Sequence, residues 1–271
     1  MWEDVFNELS TSAARQHGLI TTAQANRLGA DREMLEHFKG FGLIRELDWS
    51  VFQLSSSSYG IRFALPYAAW LALENESFRW ERTEALHEDA VLSHESACAL
   101  WGIGATRSSG MRFTAQRERS TPRAVAVTAA PLTPDDVTVH EGVPVTTPHR
   151  TIMDLISEST AGEEISRVFT DALVRDLVDL RLLYEDTKEI AAEFGLPTGG
   201  RHFIDRFLPG LSPESLSTHN LRTYAELRYP EQVSEVRAQI DKILFAVRGG
   251  AAVGDERVSR EIAAEIVGRT R

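Results

Sequence analysis

Residues 19 to 54, LITTAQANRLGADREMLEHFKGFGLIRELDWSVFQL, constrain the fold more than any other stretch, because two short helices joined by about three residues must meet at a steep angle. Thr21 stands where a helix N-cap belongs, and Gln24 is placed to bond back to its amide, so TTAQ has the form of a capping box. Ala23, Ala25 and Leu28 form the apolar side of the short helix that follows. Gly29 supplies the left-handed residue that ends it, and Asp31 caps the next helix. This second helix, Asp31 to about Phe38, turns Met34, Leu35 and Phe38 inward. Arg32, Glu33, Glu36 and His37 face out, with Lys39 at the flank. Gly40 and Gly42 stop the helix, and GLIREL and VFQL pair around DWS as a hairpin with its tip at Asp48 to Ser50.

The pattern is a winged helix-turn-helix, in which the second helix reads a major groove and the wing tip lies along a phosphate backbone. Thr21, Thr22, Arg32, Glu36, His37, Lys39, Arg45, Trp49 and Ser50 are the expected contacts to double-stranded promoter DNA. Glutamates on the reading face oppose phosphates, although glutamate also accepts from cytosine. Helix pairs followed by a hairpin also occur in domains that bind only protein. A protein-interaction module whose winged helix does not touch DNA is therefore the alternative.

Upstream, Trp2, Val5, Phe6, Leu9 and Ala13 share one face of a helix over residues 2 to 17 that Gly18 terminates. Downstream, SSSSYG reads as a loop, Pro66 as the start of a helix through YAAWLALEN, and AVLSHESACALWGIG as a helix with Ser93 as its cap. MRFTA, RAVAVTA, DVTVH and GVPVT are short and β-branched, a small β-rich unit over 111 to 146. Thr147 and Pro148 open a helix, and helical patterns follow at 163 to 176, 179 to 194, 201 to 207, 230 to 247 and 255 to 270. The predicted fold is α+β and predominantly helical. A winged domain over 1 to 58 precedes a second domain over 59 to 271, made of the β-rich part and a helical part from 147.

No run of about 18 apolar residues occurs and the first ten residues are acidic, so neither a membrane span nor a basic leader is expected, and the expected compartment is the cytoplasm. Cys98 is the single cysteine, which leaves no intrachain disulfide and no thiolate zinc site. Net charge is -11, unfavourable for a nucleic-acid partner overall. DNA contact must then rest on local charge. Arg107, Arg112, Arg117, Arg119 and Arg123 stand against Glu118 alone between residues 107 and 123. They are candidates for phosphate or partner contacts, and ion pairing with acids of the helical region is the competing account.

Three segments in this order resemble the AbiEi-type antitoxins of type IV toxin-antitoxin systems: RLGADREMLEHFKGFGLIREL, AVLSHESACALWGIG and EGVPVTTPHRTIMDLI. The resemblance spans residues 19 to about 157. It implies a bacterial transcriptional autorepressor with an N-terminal winged helix, possible self-association on DNA, and a C-terminal region that counteracts a nucleotidyltransferase-like toxin. No catalytic residue, cofactor or metal is expected. Ser93, His94 and Asp154 make a triad on paper, but no strand-turn-helix elbow surrounds the serine. His140, Glu141 and His149 lack HExxH spacing, and GGAAVG lacks the lysine of a phosphate loop. Lys39, Lys188 and Lys242 lack the acidic context of a PD-(D/E)xK nuclease. The glycine-serine and paired-aspartate pattern of nucleotidyltransferases is missing as well, which sets the chain on the antitoxin side of such a pair.

Overall fold

The first helix, α1 (Trp2–Ala14), leads into a strand, β1 (Leu19–Thr21), and then into α2 (Thr22–Arg27) and α3 (Arg32–Gly40); β2 (Ile44–Glu46) and β3 (Val51–Leu54) complete the winged arrangement. This is a computed structural model, and it describes residues 2–104, 110–158, 162–194, 198–247 and 256–271. The capping box forms as the sequence predicts: Gln24 N donates to Thr21 Oγ1 at 3.0 Å and Thr21 N to Gln24 Oε1 at 3.1 Å. Asp31 caps α3 by accepting from Met34 N at 2.8 Å, and Gly29 between the helices has φ +85°. β1, hidden in the apolar LIT, pairs antiparallel with β3, giving the order β1-β3-β2.

Alternation along these strands places Ile20, Phe52 and Leu54 on one face, where they join Ile44, Leu9, Ala13, Leu35 and Phe38 in a core. Leu19 and Val51 face the other way, into a second core with Ala64, Tyr67, Trp70, Leu92 and Phe113. The winged sheet is therefore buried on both sides. The second core belongs to α4 (Ile61–Ala72), α5 (His94–Trp101) and a five-stranded mixed sheet of β4 (Val91–Leu92), β5 (Met111–Ala115), β6 (Val125–Ala129), β7 (Val137–His140) and β8 (Val143–Thr146), ordered β6-β5-β4-β8-β7. The four expected strands of the β-rich part are all present. The central strand β4 falls in a run expected to be helical, because three apolar residues carry no period and only Ser93 marks where the helix begins. Gly60, not Pro66, caps α4, and Pro66 lies inside the helix.

The chain divides into two units near Thr151: Met1–Gly102 with Thr106–Thr151, and Ile103–Ala105 with Ile152–Arg271. The expected winged segment of 1 to 58 does not separate from the β-rich part. α6 (Pro148–Ser157) crosses the division. The second unit continues with α7 (Gly162–Val174), α8 (Leu180–Phe194), α9 (Gly200–Phe207), α10 (Thr218–Arg228), α11 (Pro230–Val247) and α12 (Glu256–Thr270). Its core includes the rings of Phe169, Phe203 and Phe207 and the cluster Ala225, Val233, Ala263, Ala264 and Val267. α10, absent from the expected helices, holds the start of α8. The Asn220 side chain accepts from Leu180 N at 2.8 Å and donates to Val178 O and Asp176 Oδ1, both at 3.0 Å. Among the described residues no helix is long and apolar enough to cross a membrane.

Candidate nucleic-acid interface

The outward face of α3 carries Arg32, Glu33, Glu36 and His37, all exposed, while Leu35 and Phe38 are buried beneath. Of the four basic side chains between residues 19 and 54, Arg32 alone has no hydrogen-bond or ion-pair partner among the described residues. Arg27 pairs with Glu81 through two bonds of 2.7 Å. Lys39 Nζ lies 2.9 Å from Glu36 and 3.2 Å from Glu46, a link between α3 and the wing that raises its pKa through the Glu36 bond first and Glu46 second. The Arg45 guanidinium donates to Gln53 Oε1 at 2.6 and 3.1 Å. His37 is exposed, but its ring packs 4.6 Å from Phe41 and 5.5 Å from Trp2.

Thr21 is the expected contact that the fold withdraws. It is 1% exposed, and its hydroxyl donates to Asn75 O at 2.5 Å while capping α2. A buried polar lock surrounds it: Gln24 Nε2 donates to Ser77 O, Gln16 Nε2 to Gln24 Oε1, and Arg79 N to Gln16 Oε1, at 2.7 to 2.9 Å. The sequence marks Gln24 as a cap partner but gives no sign of Gln16 or of the long-range role of the two amides, which satisfy backbone groups 53 to 63 residues away, a pairing with no local signature. Thr22 is half-buried and donates to Ser50 O at 3.1 Å.

The wing tip is engaged by its own chain. Val51 N donates to Asp48 O at 2.9 Å, and Trp49 and Ser50 both have positive φ, 54° and 57°, so a tight turn of the mirror-image type closes the hairpin. Trp49 Nε1 donates to Arg123 O at 2.6 Å, and the Arg123 guanidinium reaches Asp48 at 3.1 and 3.2 Å.

The remaining arginines of the basic run are dispersed in the same way. Arg119 lies 3.0 Å from Asp89 and 3.7 Å from Glu74, and Arg112 lies 3.3 Å from Glu95. These acids belong to the N-terminal unit, not to the helical region named in the competing account. Arg117 is exposed, and Arg107 lies outside the described residues. The run is a set of local ion pairs more than one basic face.

Ser93 occupies the N-cap position of α5 without the expected side-chain cap bond. Its Oγ accepts from Thr114 Oγ1 at 2.9 Å and lies 2.9 Å from His94 Nδ1. His94 itself has φ +52°. Ser93 and His94 are 0% and 4% exposed, so the pair is buried. No group of three or more His, Cys, Asp or Glu side chains suited to a metal ion occurs among the described residues.

Comparison with known proteins adds no family. No family model matches the chain, and no curated protein matches it. Among solved structures, the crystal structure of RV2827C protein from Mycobacterium tuberculosis is similar over 84% of this chain and 76% of that chain, at 14% identity and a TM-score of 0.39. A likeness that distant carries no weight for function.

Proposed function

We propose that the protein binds duplex DNA through α3 and acts as an AbiEi-type antitoxin, repressing its own promoter and counteracting a nucleotidyltransferase-like toxin through its helical unit. The observation that carries the DNA reading is Arg32. It stands exposed and unpartnered in the first turn of a helix whose cap, turn and inner face are all fixed. N-terminal residues of a recognition helix are the ones that reach base edges, and an arginine fork matches guanine. The antitoxin part rests on the resemblance of the three sequence segments.

A mobility-shift assay on the promoter region tests the first part. Arg32→Ala is expected to weaken specific binding by about 1 to 3 kcal/mol. Unchanged affinity removes α3 from the reading role. Co-expression with a toxin encoded alongside tests the second: growth rescue by the wild type that survives Arg32→Ala separates the two activities. The alternative, a module that binds protein alone, is favoured by the neutralised Lys39 and by the wing tip tied to Arg123. It predicts no shift of any promoter fragment.

A further inference from the structure

Away from α3, the N-terminal unit holds a cleft of about 520 Å³ walled by Arg15, Trp70, Trp80, Arg79 and Arg82, with Val139, Gly142 and Pro144 along one side. That volume is within the range of small-molecule sites. Its chemistry is unusual for a chain with 40 acidic and 29 basic residues. Three arginines line it against a single carboxylate, Glu84.

Two of the guanidinium groups lie over indoles: Arg15 Cζ is 3.8 Å from the Trp80 ring centre and Arg82 Cζ 3.8 Å from that of Trp70. Phe78 backs Trp80 at 4.7 Å and 6° between planes. Arg82 is neutralised by Asp89. Arg15 and Arg79 are exposed and, among the described residues, have no acid partner. Arg79 is set in place by its backbone, whose N–H donates to Gln16. Trp70, which backs Arg82, is 3% exposed.

We propose that this cleft binds a phosphate-bearing planar ligand of the nucleoside monophosphate class. Arg15 and Arg79 hold the phosphate, since arginine forks match phosphate oxygens. The outer face of the exposed Arg15 guanidinium, which lies over Trp80, supplies the surface on which a base packs.

Calorimetric titration of the full chain with adenosine monophosphate, adenosine and inorganic phosphate tests this. The nucleotide is expected to bind and inorganic phosphate to compete with it. Adenosine is expected to bind at least tenfold more weakly, as is the nucleotide to Arg79→Ala, by the loss of a charge-assisted bond. Because the Arg79 side chain is exposed and unpaired, the variant's thermal transition should match the wild type, which separates lost binding from lost folding. Equal affinity of wild type and Arg79→Ala, equal affinity for adenosine and the nucleotide, or no heat at about millimolar nucleotide overturns the proposal. Displacement of the nucleotide by promoter duplex also overturns it, because the phosphate then belongs to nucleic acid.

Discussion

Replacing Asp89 by alanine removes the acceptor for a guanidinium that has almost no access to water. The Arg82 and Asp89 side chains are 1% and 3% exposed, joined by two parallel bonds of 2.9 Å. Without the carboxylate, Arg82 keeps Trp70 O at 2.9 Å and Glu74 at 4.0 Å, the latter 44% exposed. Breaking a buried pair from one side costs about 3 to 5 kcal/mol. The retained carbonyl and Glu74 place the expected loss at the lower end, about 3 kcal/mol.

Replacing both partners, Arg82→Met with Asp89→Leu, removes the most deeply buried charge and leaves open Ala90 N, which donates to Asp89 Oδ1 at 2.6 Å, and Trp70 O, while Arg119 loses Asp89 but keeps Glu74 at 3.7 Å. The double variant is expected to lose only about 1 to 2 kcal/mol. Urea unfolding followed by tryptophan fluorescence measures both, because all five tryptophans, Trp2, Trp49, Trp70, Trp80 and Trp101, lie in the N-terminal unit. With a slope of about 2 kcal/mol per molar urea, the single variant shifts the midpoint by about 1.5 M. A single variant within about 1 kcal/mol of wild type, or a double variant as unstable as the single, refutes the reasoning.

Asn220→Ala strands Leu180 N and should lower the stability of the helical unit by about 2 kcal/mol. Circular dichroism is expected to show this while the tryptophan transition stays in place. His17 has its pKa lowered from 6.5 by burial first and by Arg79 second, against an opposing pull from Glu141. The unfolded chain therefore binds the proton more readily, and the stability present above 6.5 falls as pH drops below it. Urea midpoints between about pH 7 and about pH 5 should fall in the wild type and flatten in His17→Asn, which also tolerates the φ of 58° found there; identical slopes contradict it.

The parts of this fold that were legible in the sequence are those fixed by neighbours in the chain. Thr21 with Gln24, Asp31 with Met34 N and the β-branched runs of β5 to β8 are local, and they form where local chemistry puts them. What stayed hidden depends on distant residues. β1 and β4 are strands only because β3, β5 and β8 pair with them, and Thr21, Gln24 and Gln16 lock the segment from 75 to 79. The expected DNA contacts divide along the same line. Exposure of Arg32 follows from helix period alone, and Lys39 is tied by Glu36 and Glu46 within the same stretch, whereas the burial of Thr21 and the tie on Trp49 involve Asn75 and Arg123, which the local pattern does not contain.

A winged sheet with core on both faces also restricts how such a protein can change over generations. Leu19 and Val51 share a core with Tyr67, Trp70 and Phe113, so exchanging residues 1 to 58 for a foreign winged segment would expose one side of the graft and break the packing of the recipient. Recombination at that seam is penalised, and point substitution on the outward side of α3 is not. On the proposed DNA reading, new target preferences are expected to arise one surface residue at a time, at Arg32, Glu33 and Glu36, with the body of the N-terminal unit inherited whole.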